Sequence, residues 1–243
     1  MTDVADLLAR AEAACAVLGP TSGAGSAVVE GIPCVSYRVD QPWACQAKAM
    51  VPPTSAALDA ATDWLEAHAV TRREWTVMTR QRHVGAPVFS AAGLSPWLTL
   101  PILALGRADL LERIAAVDGL DVGPASGAAE FLAVYGEELA PLITPGILAD
   151  PTHHHFVGRV DGQPVACVQV REVANTAYIS GVTVIPACRG RGIGTAISVA
   201  ATRFALASHP RVVWLAAESH LHPMYARLGF GQVGVHVLLR PGD

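Results

Sequence analysis

Charge is scarce in this sequence, and lysine is almost absent. Charged residues make up 16% of the 243 positions, Lys48 is the only lysine, and the formal net charge is -4. The arginines are spread along the chain, so the sequence lacks the basic block that a nucleic-acid-binding surface requires. It also lacks an apolar run of the roughly 20 residues that a membrane-spanning helix needs. We therefore expect no nucleic acid and no membrane among its partners.

The first residues are also unlike a secretory signal peptide. The first ten residues carry Asp3 and Asp6, whereas a signal peptide begins with basic residues that precede an apolar run. The five cysteines are odd in number and form no CxxC pair, which argues against a disulfide framework and against structural zinc. They are Cys15, Cys34, Cys45, Cys167 and Cys188. These absences predict a cytoplasmic protein with free thiols.

Three adjacent histidines, His153 to His155, are the feature that most suggests a metal site. Adjacent residues of an extended segment point to alternate sides, so the three rings do not converge on one ion. We expect a solvated loop there, and also at His220 and His222. The sequence therefore predicts no bound metal.

Apolar residues, in contrast, are plentiful enough for two cores. They make up 51% of the chain, whose length exceeds that of one ordinary domain. The order strands, helix, strand, turn, strand occurs twice, which predicts one domain over residues 1–106 and another over 107–243. For each we expect a mixed, mostly antiparallel central sheet flanked by helices, of the α/β (α+β) class. Helices are predicted over 3–18, 55–68, 128–139, 195–209 and 223–228, and strands over 114–120, 156–160, 164–173, 176–184, 211–217 and 232–239.

A glycine-rich segment connects the strand that ends at Val184 to the helix that begins at Thr195. Its sequence is Arg189-Gly190-Arg191-Gly192-Ile193-Gly194. Glycines allow a ligand to approach the backbone, and the free amides at a helix start attract phosphate oxygens. Two arginines add positive charge. The pattern predicts a pyrophosphate site.

Three alternatives compete with this interpretation of the loop. A P-loop needs Lys-Ser or Lys-Thr after the glycines, and neither is present. A dinucleotide-binding fingerprint needs GxGxxG, whereas the spacing here is GxGxG, and too little chain follows Glu218 to complete a doubly wound sheet. A turn that only caps the helix is the remaining alternative, although it does not require three glycines and two arginines.

On these residues the sequence resembles the GNAT acyltransferases, whose signature is Gln or Arg, two residues, Gly, one residue, then Gly or Ala. Arg189, Gly192 and Gly194 match it, and the resemblance extends over about residues 151–240. It implies that acetyl-coenzyme A lies between two splayed strands, with the Val182 amide polarising the thioester carbonyl. The cofactor-binding residues it implies are Val182, Val184, Arg189, Gly190, Arg191, Gly192, Ile193, Gly194, Thr195 and Ser219.

The resemblance also implies a general acid. The segment Ser219 to Phe230 is similar to the family's short helix after the second splayed strand, and Tyr225 stands where a Tyr protonates the departing thiolate. Many relatives carry Asn where this chain has Ser219. The alternative for Tyr225 is an aromatic side chain that only packs in the core.

The base and the acceptor site are less marked. Glu172 lies on the strand beside the cofactor strand and is our candidate base, with Glu137 and Glu138 as alternatives. Tyr178 and Ser180 share the parity of Val182 on their strand, so strand alternation predicts that they point to the same side and bind the acceptor.

Taken together, the sequence predicts an N-acetyltransferase that transfers an acetyl group to a primary amine of a small molecule or peptide. The alternative is a non-catalytic acyl-coenzyme A sensor or scaffold that keeps the loop without chemistry. The first half lacks an Arg-x-x-Gly-x-Gly segment at its break, Pro52 to Ser55, and we expect a degenerate GNAT-like domain there. The protein is expected to be a monomer or a homodimer.

Overall fold

The computed structural model describes residues 25–242, which form two compact units. The first unit comprises 25–101 and 234–242, and the second comprises 102–233. The helix predicted over 3–18 lies outside the described residues, as does Cys15. The sequence places all of 107–243 in one domain, whereas residues 234–242 belong to the first unit. The reason is a strand pairing, since Val237 of the last strand lies opposite Thr79 of the first unit.

The first unit is a mixed sheet with a helix packed on it. Its described strands lie in the order β1-β2-β3-β4-β11-β5. β3 and β4 are parallel, whereas β1 with β2, β2 with β3, and β4 with β11 are antiparallel. The elements are β1 Gly25–Val29, β2 Ile32–Ser36, β3 Cys45–Lys48, α1 Ser55–His68, β4 Thr76–Arg80, α2 Pro87–Ala91, the first part of β5 Leu94–Leu105 and the last part of β11 Phe230–Pro241.

A helical crossover explains the parallel pair in this unit. Parallel neighbours need a long connection, which here is α1. Leu58, Ala61 and Leu65 recur on one face of α1 and are fully buried. That face covers the sheet, and it supplies the core of the first unit.

The second unit repeats this plan with a longer antiparallel meander. Its strands lie in the order β11-β5-β10-β9-β8-β7-β6. β9 and β10 are parallel, whereas β5 with β10, β8 with β9, β7 with β8, and β6 with β7 are antiparallel. The elements that it adds are β6 Leu120–Pro124, α3 Ala128–Tyr135, α4 Pro145–Ala149, β7 His153–Val160, β8 Gln163–Val173, β9 Thr176–Val184, α5 Ile193–Ala207, β10 Val212–Ala216 and α6 His222–Arg227.

Local sequence explains the meander. Asp161 and Gly162 have φ of 51° and 75°, and Ala174 and Asn175 have φ of 47° and 62°. Two successive positive φ angles are the requirement of the tight hairpin turns that match strand twist. Both dipeptides therefore form tight hairpin turns, and the fold class expected from the sequence is confirmed.

The crossover helix of the second unit, α5, is held by its apolar face. Ile193, Ile197, Ala201 and Ala205 recur every four residues and are at most 1% exposed. They pack on β8, β9 and β10 in one hydrophobic core. This packing fixes the start of α5 beside the end of β9.

Candidate active site

A groove opens where two parallel strands of the second unit separate. β9 pairs with β10 from Thr176 to Ile179 only. Beyond that point β9 continues to Val184, while β10 ends at Ala216. The groove has a volume of about 650 Å³. Its walls are the end of β9, the loop Cys188 to Thr195, and Leu221, Met224, Tyr225 and Arg227.

The loop ends in a helix start with unused hydrogen-bond donors. Gly192 is the residue before α5, adopts φ +80°, and no side chain caps the helix. Within residues 25–242, no hydrogen bond is formed by the backbone amides from Gly190 to Thr195, whereas the Ala196 amide donates to the Gly192 carbonyl at 3.0 Å. These donors sit at the positive end of the helix dipole. The arrangement is suited to binding an anion.

Positive φ explains the glycines of this loop. Gly190 and Gly192 have φ of +75° and +80°, where side chains other than glycine are strained. A Cβ at Gly190 would meet no heavy atom within 4 Å. The surface above the loop is therefore open for a ligand to approach the backbone.

The loop arginines make protein contacts of their own. The Arg189 side chain donates through Nε to the Val184 carbonyl at 3.0 Å. Arg191 Nη1 lies 3.9 Å from Cys188 Sγ. The Arg189 guanidinium thus holds the last residue of β9 against the loop, in addition to the charge that it brings.

Tyr225 lies on α6, with its side chain in the groove wall and 4% exposed. Its ring packs edge-on against Phe230, with the centroids 5.9 Å apart. Burial raises the pKa of the phenol. The phenol is therefore a buried, protonated donor at neutral pH.

A bulge in β9 separates the residues before Gly181 from those after it. Gly181 has φ +61°, and the β8–β9 register shifts there, since Gln169 faces Ser180 but Cys167 faces Thr183. The parity of side chains therefore changes along β9. Ile179 and Val182 pack against the same core beneath α5.

The bulge overturns the strand-alternation argument for Tyr178 and Ser180. Both residues lie on the face opposite Val182. Tyr178 stacks on Trp214 with centroids 4.3 Å apart, and the Ser180 hydroxyl lies 3.4 Å from the Gln169 side-chain oxygen. Parity counting failed because a bulge adds one residue to one strand, and an isolated glycine was the signal that could have revealed it.

Tyr135 is a residue of this face that the sequence analysis missed. A Cβ at Gly181 would lie 3.0 Å from the Tyr135 ring, so the ring packs directly on the bulge. Tyr135 ends α3, and Gly136 follows with φ +116°. The turn Glu137–Leu142 comes next, and Glu137 and Glu138 are exposed in it.

Glu172 is not brought to the groove. Its carboxylate accepts from the Ser208 hydroxyl and lies 3.5 Å from His154 Nε2. Ser208 follows the last residue of α5, and the glycine loop precedes the first. The helix has 15 residues, which at 1.5 Å each separates the two ends by about 22 Å. Glu172 is therefore too distant to act as a base beside Tyr225.

The remaining polar candidates lie in separate places. Ser219 is exposed at the start of the short turn Ser219–Leu221, and only Leu221 of that turn lines the groove.

The three adjacent histidines have three different sets of partners. His153 lies 3.3 Å from Asp150, His154 contacts Glu172 and Phe204, and the His155 ring packs edge-on against the Phe131 ring. Across residues 25–242 there is no group of three His, Cys, Asp or Glu side chains placed to hold a metal ion. Nor does that part of the chain contain a helix both long and apolar enough to cross a bilayer.

Comparison with known proteins agrees with this geometry. Residues 127–230 match the model of the Acetyltransferase (GNAT) family. A search of curated proteins found no significant match.

Solved structures share the fold over most of the chain. A GCN5-related N-acetyltransferase from Kribbella flavida is 21% identical, with a TM-score of 0.73 over 100% of this chain and 98% of its own. A tandem GNAT protein from the clavulanic acid biosynthesis pathway is 16% identical, with a TM-score of 0.61 over 87% and 79%. A GCN5-related N-acetyltransferase from Sphaerobacter thermophilus is 18% identical, with a TM-score of 0.56 over 86% and 75%.

Proposed function

We propose that this chain, whose residues 127–230 form a domain of the GNAT acetyltransferase family, transfers an acetyl group from acetyl-coenzyme A to a primary amine of a small molecule or peptide. One observation carries the proposal. A helix start with unbonded amides and a buried tyrosine line the same groove, beside the part of β9 that no longer pairs with β10. The first feature binds a diphosphate, and the second supplies a proton.

The loop fits the diphosphate of coenzyme A. The amides from Gly190 to Thr195 have no protein acceptor among the described residues, and left-handed glycines leave the backbone accessible. Arg189 and Arg191 add charge beside them. Val182 and Val184 line the continuation of the groove along β9, where a pantetheine arm extends the strand edge. Acetyl-coenzyme A supplies the activated acetyl group when bound.

Two groups act on the reacting centre. The Val182 amide, next to the bulge at Gly181, donates to the oxygen on which negative charge develops. Tyr225 donates its phenolic proton to the departing thiolate. Its burial keeps the phenol protonated at neutral pH, because burial raises its pKa.

The acceptor approaches from the opposite face of β9. On that face Tyr178 stacks on Trp214, and the Tyr135 ring packs on the bulge at Gly181. The amine attacks the thioester carbonyl directly. Glu137 and Glu138 follow Tyr135 and replace Glu172 as our candidates for the base, either directly or through water.

The cysteines are relevant to the cellular location of the protein. Those of residues 25–242 are all free and buried, which is consistent with the reducing cytoplasm that we expect. We also expect a monomer or a homodimer. Ser219 has no proposed contact, because its side chain is exposed and does not line the groove.

Calorimetry and a turnover assay test the proposal separately. Acetyl-coenzyme A should release heat on binding, whereas a nicotinamide dinucleotide should not. The protein should then consume acetyl-coenzyme A in the presence of at least one amine from a panel of polyamines, amino sugars and peptide amino termini. Binding without turnover would favour an acyl-coenzyme A sensor, and binding of the dinucleotide alone would refute the site assignment.

A further inference from the structure

Three polar side chains form a row across the face of the second unit's sheet that lies opposite α5. In the strand registers His155 of β7 is opposite Gln169 of β8, and Gln169 is opposite Ser180 of β9. Side chains of directly opposite residues in an antiparallel pair point to the same face. The Ser180 hydroxyl donates to the Gln169 side-chain oxygen at 3.4 Å. This polar row, His155, Gln169 and Ser180, therefore ends beside the bulge at Gly181.

Aromatic rings of α3 lie at both ends of the polar row. The Phe131 ring packs edge-on against the His155 ring, with the centroids 5.1 Å apart, and the Tyr135 ring packs on Gly181. Between these two contacts, Gln169 is half-buried. The helix thus covers the ends of the row and leaves its middle accessible.

The polar row has hydrogen-bonding capacity left over for a ligand. His155 is 7% exposed, and its Nε2 atom is buried without a hydrogen-bond partner among the described residues. Burial lowers the pKa of His155 to about 4, so the ring is neutral at neutral pH. Gln169 accepts through its oxygen, which leaves its NH2 group as a donor. Both groups are uncharged and suit the amide groups of a peptide.

The charged groups near the His155 end of the row do not suit a second ammonium group. Burial, and after it the positive charge of Arg171, lower the pKa of His153 on the same strand as His155. The Asp150 carboxylate accepts from the Thr152 amide at 2.8 Å and lies 3.3 Å from His153. An ammonium there would meet the charge of Arg171 and a carboxylate that already has partners.

The length of the polar row matches a short peptide. Neighbouring strands lie about 4.8 Å apart, so a row over three strands spans roughly 10 Å. An extended peptide advances about 3.5 Å per residue. Two to three residues would therefore reach from the bulge at Gly181 to His155.

We propose that the acceptor is the amino terminus of a peptide or of an amino-acid amide, and that the polar row binds its amide groups; this inference rests on the proposed function. The reacting amine lies at Gly181. Gln169 donates to the first carbonyl oxygen of the acceptor, and His155 binds the next amide group through Nε2. A diamine of the same length has no amide for these groups and brings a second positive charge.

Steady-state kinetics with two acceptors of similar length test the proposal. We expect kcat/KM for alanyl-alaninamide to exceed that for cadaverine by at least about tenfold. Gln169→Leu removes the donor at similar volume, so KM for alanyl-alaninamide should rise about tenfold, with no change for cadaverine. Gln163→Leu is the matched control, because Gln163 is exposed at the start of the same strand. It should change neither value.

A substitution that adds charge makes the opposite prediction. Gln169→Glu places a carboxylate in the middle of the row, so kcat/KM should rise for cadaverine and fall for alanyl-alaninamide. A wild-type preference for cadaverine, or equal kinetics in wild type and Q169L, would overturn the inference while the proposed acetyl transfer stands.

A binding measurement gives a readout without turnover. Alanyl-alaninamide is titrated by calorimetry into protein saturated with coenzyme A, which has no acetyl group to transfer. Wild type should bind it, and Q169L should bind it about tenfold more weakly. Absence of binding to wild type would overturn the inference. Binding that depends on Gln169, together with no turnover of any amine, would refute the proposed function and leave the peptide site standing.

Discussion

Two strand–helix–strand crossovers in this chain have the same element order but begin their helices differently. In the first unit, Thr54 precedes α1 and its hydroxyl accepts from the Ala57 amide at 3.2 Å. Pro52 and Pro53 before it have no amide hydrogen. In the second unit, Gly192 precedes α5 and no side chain caps the helix. One helix start has a side-chain cap, and the other has none.

The short helices that follow the crossovers each bury one aromatic ring, and the two rings differ by a hydroxyl. In α2 the sequence Pro87-Val88-Phe89 is followed by Gly93-Leu94, and in α6 Pro223-Met224-Tyr225 is followed by Gly229-Phe230. Phe89 is 1% exposed and Tyr225 is 4% exposed. The aromatic ring is kept in both places as core, but the first unit lacks the hydroxyl. The comparison indicates that packing at this position does not require the hydroxyl.

The largest expected effect comes from replacing Tyr225 with phenylalanine, the residue that α2 of the first unit has at Phe89. Tyr225→Phe keeps the ring and removes the acid, so kcat should fall by roughly 10² to 10⁴. The dissociation constant for acetyl-coenzyme A should change less than threefold, because the amides of the loop are untouched. Steady-state kinetics and calorimetry measure the two quantities. Unchanged kcat would mean that Tyr225, like Phe89, is only a packing residue.

The next effect comes from closing the open helix start. Gly194→Pro removes one amide donor at a position where the first turn of a helix tolerates proline. Loss of a hydrogen bond to a charged group costs about 1.5–3 kcal/mol, so calorimetry should show acetyl-coenzyme A binding weakened by roughly 10- to 150-fold.

Gly194→Ala is the matched control for that change. The added Cβ would lie 3.6 Å from Val184 Cγ2, which is an ordinary contact, and the amide is retained. Binding should weaken less than threefold. If the alanine variant lost as much affinity as the proline variant, then the space at Gly194, not its amide, would matter.

The smallest effect should come from opening the closed helix start of the first unit. Thr54→Ala deletes the cap of α1 and should cost about 1 kcal/mol of unfolding free energy, which denaturant titration measures. Acetyl-coenzyme A binding and kcat should stay as in the unaltered protein. A fall in affinity would show that the helix start of the first unit takes part in binding after all.

Local sequence predicted most of the second unit. The hairpin turns, the glycine loop, α5 and α6 are predicted by rules that use only neighbouring residues in the sequence. Their predicted bounds lie within a few residues of those in the structure. The helix predicted over 128–139 ends at Tyr135, because Gly136 adopts φ +116° and Pro141 lies further on. The strand predicted over 114–120 is instead β6, Leu120–Pro124, preceded by a 3-10 helix at Ala108–Arg113.

What the sequence did not predict depends on contacts between distant residues. The face of the sheet on which Tyr178 lies depends on the bulge in β9, which is set by the pairing of β9 with β8. The distance of Glu172 from the groove depends on which end of α5 lies beside Glu172. The loop itself, from Arg189 to Gly194, could be recognised because all its donors are consecutive in the chain. A site whose residues come from several helices and strands has no such local sequence pattern.

The pairing of the last strand with β4 has a consequence for the order of synthesis. Residues 234–242 complete the sheet of the first unit, yet all of 102–233 is translated before them. At 5–20 residues per second, this delay is roughly 7 to 26 seconds. During that interval Val77 and Thr79 stand on an unpaired strand edge on the nascent chain, while the second unit is already emerging. Synthesis of the first unit therefore begins before that of the second unit and ends after it.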